Sequence, residues 1–292
     1  MILRAHAKVN LALAIGKSSV PGGLHPICSW MHAIELFDRI EICPLSQDQE
    51  SMYSIGWAKK ENKDEPVDWE MEQDLAVRAH KLFEAHVGHQ LPVLIRISKS
   101  IPAGGGLGGG SSDAASVLMG INRLFDLQLN QTTLVKLAMK LGSDVPFFLD
   151  SGKQVPRPAI IEGVGEKITR LDSRCAGEPI TLIFPGFECS TGRVYRAFDE
   201  QIGPGHTLAR DTIYKLTRRS VVDTDGLFND LQIPACGLGN GLGAIKSAIE
   251  DKIGKPAHVS GSGSTLFVIG QVDSGLVGQA APACRILQTW LC

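Results

Sequence analysis

A glycine-rich run within residues 99–115 is the feature of this sequence that most constrains its fold. Six of the seven positions in 104–110 are glycine, and the run stands between an apolar segment at 91–98 and a segment of helical periodicity at about 113–125. Glycine lets the backbone approach a ligand closely, and the amide groups at a helix N-terminus favour an anion. The order of strand, glycine loop and helix therefore predicts a phosphate-binding site.

Three other functions of a glycine-rich segment fit this run less well. A flexible linker does not usually stand between an apolar strand and an amphipathic helix. A Walker A loop needs Gly-Lys followed by Ser or Thr, which is absent here. A dinucleotide fingerprint is formally present as Gly104-x-Gly106-x-x-Gly109, but five residues separate it from the strand, and the acidic residue about 20 positions on, Asp126, stands at a helix end.

The composition excludes several classes of protein. The 292 residues carry 29 Lys and Arg against 31 Asp and Glu, so no basic surplus is available to neutralise a nucleic acid. Hydrophobic residues make up 43% and charged residues 21%, which favours neither disorder nor a membrane-embedded protein. The seven cysteines are scattered without a C-x-x-C pair, and the N-terminus has no signal-peptide pattern. We therefore expect reduced thiols and a cytoplasmic protein.

The patterning along the chain predicts an α+β fold with two lobes. Residues 4–16 alternate strictly, which predicts a half-buried strand with Lys8 and Asn10 on its polar face. A later helix is expected to end at Gly142 in the left-handed conformation. Prolines at 156 and 158 mark a composition break. We expect an N-terminal lobe at 1–155 with the phosphate loop and a C-terminal, substrate-side lobe at 156–292.

Seven short blocks of the sequence together resemble the GHMP small-molecule kinases. They occur in the family's order at 7–11, 23–25, 102–115, 142–148, 163–166, 228–231 and 259–263. The resemblance covers nearly the whole chain. It implies a two-lobed fold with the active site in the cleft between the lobes, ATP and Mg²⁺ as cofactors, and phosphoryl transfer to a small molecule that carries a cytidine diphosphate group. It implies neither a nucleic acid nor a membrane as partner, and a monomer or weak homodimer.

The resemblance also assigns the catalytic residues. Asp144 corresponds to the family's acid-base residue, and Lys8 to the lysine that orients it and the substrate, with Asn10 as hydrogen-bonding partner. The residues by themselves leave alternatives open. Asp144 stands where an ordinary helix N-cap would, and Lys8 and Asn10 could face solvent on an edge strand.

The nucleotide and substrate sites follow from the same resemblance. The expected ATP-binding residues are Lys99, Pro102, Gly104, Gly105, Gly106, Leu107, Gly108, Gly109, Gly110, Ser111 and Ser112, with Ser111 or Ser112 as the metal contact. The expected substrate-binding residues are Asn10, His25, Thr191, Tyr195, Gly261, Ser262 and Gly263. Among these, His25 would read the edge of the cytosine and Tyr195 would stack on it.

Two positions depart from the family pattern. Leu24 stands where the family usually has an aromatic ring, and Asp74 where it often has asparagine before leucine. The first weakens the case for a cytidine site, and the second puts the adenine contact in doubt. Another GHMP kinase, acting on homoserine, mevalonate or a sugar, and a nucleotide-binding protein without catalysis therefore remain alternatives.

Overall fold

The computed structural model describes residues 1–18, 23–58, 65–172, 174–203 and 206–292. The strands of these residues are β1 (Ile2–Ile15), β2 (Ile27–Pro44), β3 (Met52–Trp57), β4 (Glu65–Pro66), β5 (Val93–Lys99), β6 (Ala159–Gly163), β7 (Lys167–Arg170), β8 (Pro179–Phe184), β9 (Phe228–Asn229), β10 (His258–Val259), β11 (Leu266–Ile269) and β12 (Arg285–Trp290).

Helices stand between the strands without regular alternation. They are α1 (Leu75–Val87), α2 (Gly109–Leu124), α3 (Gln131–Leu141), α4 (Val145–Phe148), α5 (Thr191–Gln201), α6 (Arg210–Leu216), α7 (Gln232–Cys236), α8 (Leu242–Ile253) and α9 (Ser274–Ala280), with short 3₁₀ turns at Met71–Gln73 and Thr224–Gly226. This mixture confirms the predicted α+β class.

The chain divides into two compact units, which are interleaved along the sequence. The first consists of Met1–Ala7, Leu36–Pro102 and Gly108–Pro156, and the second of Lys8–Glu35, Ala103–Leu107 and Arg157–Cys292. The break at Pro156 stands next to the boundary expected from the sequence. Two early segments, however, belong with the C-terminal residues: Lys8–Glu35, which takes in parts of β1 and β2, and Ala103–Leu107 in the glycine loop.

In the first unit, β5 is the strand that positions the glycine loop. It pairs antiparallel with the second half of β2 and parallel with β3, and its inward residues Ile95 and Ile97 are buried. The chain leaves β5 at Lys99, passes through the glycine loop and enters α2, whose inner face packs against α1. The predicted strand, loop and helix are therefore confirmed, with α2 beginning four residues earlier than expected.

In the second unit, a separate antiparallel sheet has the strand order β10-β11-β8-β12. The first half of β2 pairs with β6, and the second half of β1 pairs in parallel with β9. The turn between β10 and β11 contains residues 260–265, among them Gly261, Ser262 and Gly263, which are predicted to bind the substrate. This sheet therefore presents a loop of small residues at one of its ends.

Two local predictions are wrong. Strand β1 is not half-buried but buried on both faces from Ala5 onward, because the polar residues Lys8 and Asn10 are only 2% and 3% exposed and form hydrogen bonds with neighbouring segments. Gly142 does end α3, but its φ of 166° is extended backbone rather than the left-handed conformation. The amide of Gly142 still bonds to the carbonyl of Ala138, so the helix closes without a left-handed cap.

None of the helices in the described ranges is both long enough and apolar enough to cross a membrane.

Candidate active site

In the second unit, hydrogen bonds attach the glycine loop to β1, to the loop at residues 259–264 and to Thr265 directly after that loop. The Lys8 amide donates to the carbonyl oxygen of Leu107 at 2.9 Å, and the Thr265 amide donates to that of Gly105 at 3.2 Å. The Ser260 hydroxyl donates to the carbonyl oxygen of Gly106 at 3.0 Å. The predicted phosphate loop and the predicted substrate loop therefore lie directly against one another.

Lys8 lies at the centre of this contact. Its Nζ donates to the Gly106 carbonyl at 2.9 Å and to Asn10 Oδ1 at 2.6 Å. The Asn10 amide then donates to Ser29 Oγ at 2.8 Å, and Ser29 donates to the carbonyl of Ala12 at 2.9 Å. We call Lys8, Asn10 and Ser29 the Lys8 cluster. It fixes a buried ammonium beside the glycine loop, with Asn10 as its hydrogen-bonding partner.

The contact between the two loops requires glycine at two positions. Gly106 has a φ of +75°, and a Cβ there would lie 2.1 Å from the carbonyl oxygen of Ser260. Gly261 has a φ of +57°, and a Cβ there would lie 3.4 Å from Lys8 Nζ and 3.3 Å from Asn10 Oδ1. Both residues adopt a backbone conformation that costs a side-chain-bearing residue about 1–2 kcal/mol.

Two further sets of contacts hold the 259–264 loop. The buried Asn229 amide donates to the carbonyls of Val259 and Gly261 at 2.8 and 2.7 Å. The hydroxyls of Thr191 and Ser262 lie 3.0 Å apart. Thr191 and Ser262, both predicted to bind substrate, are therefore brought together, and Asn229 sets the position of the loop that carries Ser262.

His25 and Tyr195 also meet in the second unit, with ring centroids 5.2 Å apart. His25 Nδ1 lies 2.9 Å from the carbonyl oxygen of Gly16, and because a carbonyl can only accept, Nδ1 carries a proton and donates. His25 Nε2 lies 3.4 Å from Asp199, a half-exposed carboxylate. Leu24, at the departure from the family pattern, is 69% exposed.

The remainder of the glycine loop belongs to the first unit. Gly108, with a φ of 69°, is the N-cap of α2, and the Ser112 amide donates to its carbonyl at 2.8 Å. Ser112 is 1% exposed, whereas Ser111 is half-buried. Asp144 occupies the N-cap position of α4 but accepts no capping hydrogen bond there. The alternative of an ordinary side-chain cap therefore does not describe Asp144.

Lys99 is placed differently from the sequence prediction of a nucleotide contact. It is 4% exposed, and its ammonium donates to Asp38 Oδ2 at 2.8 Å and to Asp113 Oδ2 at 2.6 Å. Burial lowers the pKa of Lys99, but Asp113 and Asp38 outweigh it, so the pKa lies above its ordinary value. Burial raises the pKa of Asp113, with Lys99 acting against this shift and Asp38 adding to it. Lys99 is thus a buried ion-pair residue.

Asp74, the second departure from the family pattern, is the N-cap of α1. Its carboxylate accepts from the Ala76 amide at 2.8 Å and from Trp69 Nε1 at 3.0 Å. The side chain is 7% exposed. Its observed role is to begin the helix, which an asparagine at this position would also do.

The described residues fit a nucleoside triphosphate with its metal ion. Gly104, Gly106 and Gly108 all have positive φ, and successive backbone amides in such a conformation can form a concavity that binds an anion. The half-buried hydroxyl of Ser111 is an oxygen donor of the kind that Mg²⁺ prefers. The donor set therefore agrees with the phosphate site expected from the sequence.

Known proteins agree with this reading. Residues 74–152 match the family model described as "GHMP kinases N terminal domain". A protein of Desulfotalea psychrophila named 4-diphosphocytidyl-2-C-methyl-D-erythritol kinase is 33% identical over 94% of this chain and 86% of its own length. The chain belongs to the 4-diphosphocytidyl-2-C-methyl-D-erythritol kinase family of GHMP kinases. It is therefore a kinase, and its family uses ATP.

Solved structures support the same fold. A crystal structure of a 4-(cytidine 5'-diphospho)-2C-methyl-D-erythritol kinase superposes with a TM-score of 0.74 at 30% identity, covering 100% of this chain and 99% of that one. The Methanococcus jannaschii mevalonate kinase superposes with a TM-score of 0.65 at 15% identity, covering 100% and 98%. The GHMP kinase fold predicted from the sequence blocks is confirmed.

Several residues of these clusters were not identified from the sequence. Asn229 and Ser260 lie in the blocks 228–231 and 259–263 but were given no role there, and Ser29 became recognisable only through its partners, because a lone hydroxyl in a strand is common. Asp38 did leave a signal, since it is a charged residue within the segment 33–43, in which most residues are apolar. Asp199 left none, as it follows no recognisable motif.

Proposed function

We propose that this kinase transfers the γ-phosphoryl group of ATP to the 2-hydroxyl of 4-diphosphocytidyl-2-C-methyl-D-erythritol, giving the 2-phosphate and ADP in isoprenoid precursor synthesis. The observation that carries this choice of acceptor is the His25–Tyr195 ring pair, whose ring centroids are 5.2 Å apart. It is joined by the names of the chain's relatives, which are 4-diphosphocytidyl-2-C-methyl-D-erythritol kinases. Because Nδ1 of His25 donates to a carbonyl, the ring is fixed, and Nε2 with the neighbouring Asp199 carboxylate, 3.4 Å away, would read the edge of the cytosine.

In the proposed reaction, the acceptor oxygen attacks the γ-phosphorus while the bond to the β,γ-bridging oxygen breaks. Asp144 accepts the hydroxyl proton, and Lys8 offsets negative charge and orients the acceptor, its own position being fixed by Asn10 and Gly106. The amides of 104–110 hold the phosphates. Ser111, the less buried of the two serines, would bind the Mg²⁺, which neutralises phosphate charge.

The remaining predicted contacts belong to the acceptor site. Thr191 and Ser262 share a hydrogen bond in the second unit, and Gly261 and Gly263 give their loop its tight path. We propose that this loop binds the diphosphate of the acceptor. A cytoplasmic location and a monomeric or weakly dimeric state remain predictions from the sequence.

Phosphorus NMR of the protein with Mg²⁺ and ATP tests the choice of acceptor. Each acceptor is supplied separately: the cytidine compound, homoserine, mevalonate and galactose. A new phosphomonoester signal with the cytidine compound alone is the expected result. Transfer to another acceptor would refute the proposed substrate, and ATP binding without transfer to any of the four would favour a non-catalytic protein.

Substitutions at the ring pair test the mode of recognition. Stacking on an aromatic ring contributes about 1–3 kcal/mol per base, so Tyr195→Ala should raise KM for the cytidine compound by about 10- to 100-fold, with KM for ATP nearly unchanged. Tyr195→Phe retains the ring and is the matched control. His25→Ala should act in the same direction. Equal effects on both substrates would remove the cytosine assignment.

Asp144→Asn tests the proposed base. Removal of a general base should lower kcat by about 10²- to 10⁴-fold while calorimetric ATP affinity stays unchanged. Asp126→Asn, an exposed aspartate of the same unit, is the control and should retain full turnover. A variant at 144 with parental kcat would exclude this role.

A further inference from the structure

Three charged side chains are buried together beneath the two ends of the glycine loop. Asp38 is fully buried, Asp113 is 1% exposed and Lys99 is 4% exposed. Asp38 lies in β2, Lys99 is the last residue of β5, and Asp113 lies near the start of α2. We call Asp38, Lys99 and Asp113 the buried clasp. Its members come from the strand that enters the loop, the helix that leaves it and the neighbouring strand.

Each bond of the buried clasp holds backbone near the loop. The Ser100 and Ile101 amides, which follow β5 directly, both donate to Asp38 Oδ1, the second at 2.8 Å. Lys99 then joins Asp38 to Asp113 through bonds of 2.8 and 2.6 Å. The residues just before the loop are thereby tied to the helix that begins just after it.

Close packing accompanies these bonds. A Cβ at Gly109, the first residue of α2, would lie 2.9 Å from the Ile101 side chain and 3.6 Å from Asp38 Oδ2. The start of the helix therefore rests directly on the residue that Asp38 holds. A shift of the clasp by a few tenths of an ångström would be passed to both ends of the loop.

Stability alone does not account for the buried clasp. It combines two carboxylates with one ammonium, and Asp113 Oδ1 has no hydrogen-bond partner among the described residues. A third carboxylate, Asp74 at the start of α1, adds to the negative potential at Asp113. Buried ion pairs can often be replaced by apolar residues with little loss of stability. An arrangement with two buried carboxyl groups for one ammonium and an unpaired oxygen points to a positional role instead.

We propose that Asp38, Lys99 and Asp113 are positioning residues for the nucleotide phosphates, acting by holding the two ends of the glycine loop at the spacing that directs its amides toward the triphosphate. The proposal rests on the proposed function, because it takes the glycine loop as the ATP phosphate site. It assigns Lys99 no contact with the nucleotide.

The affinity for ATP and the KM for the acceptor separate this role from general destabilisation. Lys99→Met removes both ion pairs, and Asp38→Asn weakens one end of the clasp. Each should raise the calorimetric dissociation constant of Mg²⁺-ATP by about tenfold or more, because several loop amides would be misplaced. The KM for the acceptor should stay within about twofold of the parental value. Lys99→Arg retains the positive charge and offers N–H donors to both carboxylates, so it should recover most of the affinity for ATP.

Two controls keep the outcome interpretable. Phe83→Leu removes buried volume from α1 in the same unit and should lose comparable stability without changing ATP affinity. If Lys99→Met does not fold, the variant combining Asp38→Asn, Lys99→Met and Asp113→Asn leaves no unpaired charge and should fold with weakened ATP binding. Loss of affinity in Lys99→Met but not in Asp38→Asn would indicate a direct nucleotide contact and overturn the proposal.

The remaining outcomes are also decisive. Parental ATP affinity in the folded triple variant would refute the positioning role while leaving the proposed function intact. Failure of the parental protein itself to bind ATP would refute both. Weakened affinity shared by Lys99→Met and Asp38→Asn, recovered in Lys99→Arg and absent in Phe83→Leu, is the result that supports the buried clasp.

Discussion

Gly106→Ala adds one atom, the alanine Cβ, at the contact between the glycine loop and the 259–264 loop. The new Cβ would lie 2.1 Å from the carbonyl oxygen of Ser260, and a shortest acceptable contact of 3.0 Å requires the two backbones to separate by roughly 1 Å. Such a shift lengthens the bonds that the Gly106 carbonyl accepts from Ser260 at 3.0 Å and from Lys8 at 2.9 Å.

The expected magnitude combines three contributions. The positive φ costs alanine about 1–2 kcal/mol, a neutral hydrogen bond contributes about 1 kcal/mol, and one from an ammonium about 1.5–3 kcal/mol. We therefore expect Gly106→Ala to lower the free energy of unfolding by about 4 kcal/mol. Displacement of the loop by this distance should also reduce kcat/KM by about 10²-fold.

Gly239→Ala is the matched control. Gly239 belongs to the same unit and has a φ of +74°, against +75° at Gly106, but no atom lies within 4 Å of its Cβ position. The control should lose only the conformational cost of about 1–2 kcal/mol and retain full activity. Denaturant unfolding and steady-state kinetics on both variants give the comparison. Equal losses in the two variants would refute the argument that the contact between the loops matters.

Two further predictions concern other buried groups. Asn229→Ala leaves the Val259 and Gly261 carbonyls without their donor, so we expect a loss of about 2–3 kcal/mol in denaturant unfolding and a rise in acceptor KM, whereas Asn122→Ala, in the first unit, should leave that KM unchanged. Burial lowers the pKa of His32 to about 4. The unfolded ring takes up a proton near pH 6.5, whereas the folded ring does so only near pH 4. The contribution of neutral His32 to the free energy of unfolding is therefore complete above about pH 6.5, and it falls by at most about 1.4 kcal/mol per pH unit toward pH 4. The unfolding free energy of His32→Gln should depend less steeply on pH, and identical slopes would contradict the prediction.

The sequence by itself determined the features that depend on neighbouring residues. The glycine run, its preceding strand and its following helix are local, because a left-handed or closely approached backbone selects glycine wherever it occurs. The order of the short blocks predicted the family, and the family predicted the fold. Lys8 and Asn10 were also correctly placed together, since alternate residues of one strand share a face.

Only the tertiary structure decided what covers those residues and what holds them. Lys8 reaches Gly106 across 98 positions of sequence, and Lys99 reaches Asp38 across 61, so neither contact has a local pattern. The periodicity of β1 left open whether its polar face meets solvent or a site, because alternation reports which residues share a face, not which segment packs against it. The ion pairs of Lys99 were missed for the same reason, since its carboxylate partners Asp38 and Asp113 lie 61 and 14 positions away in the sequence.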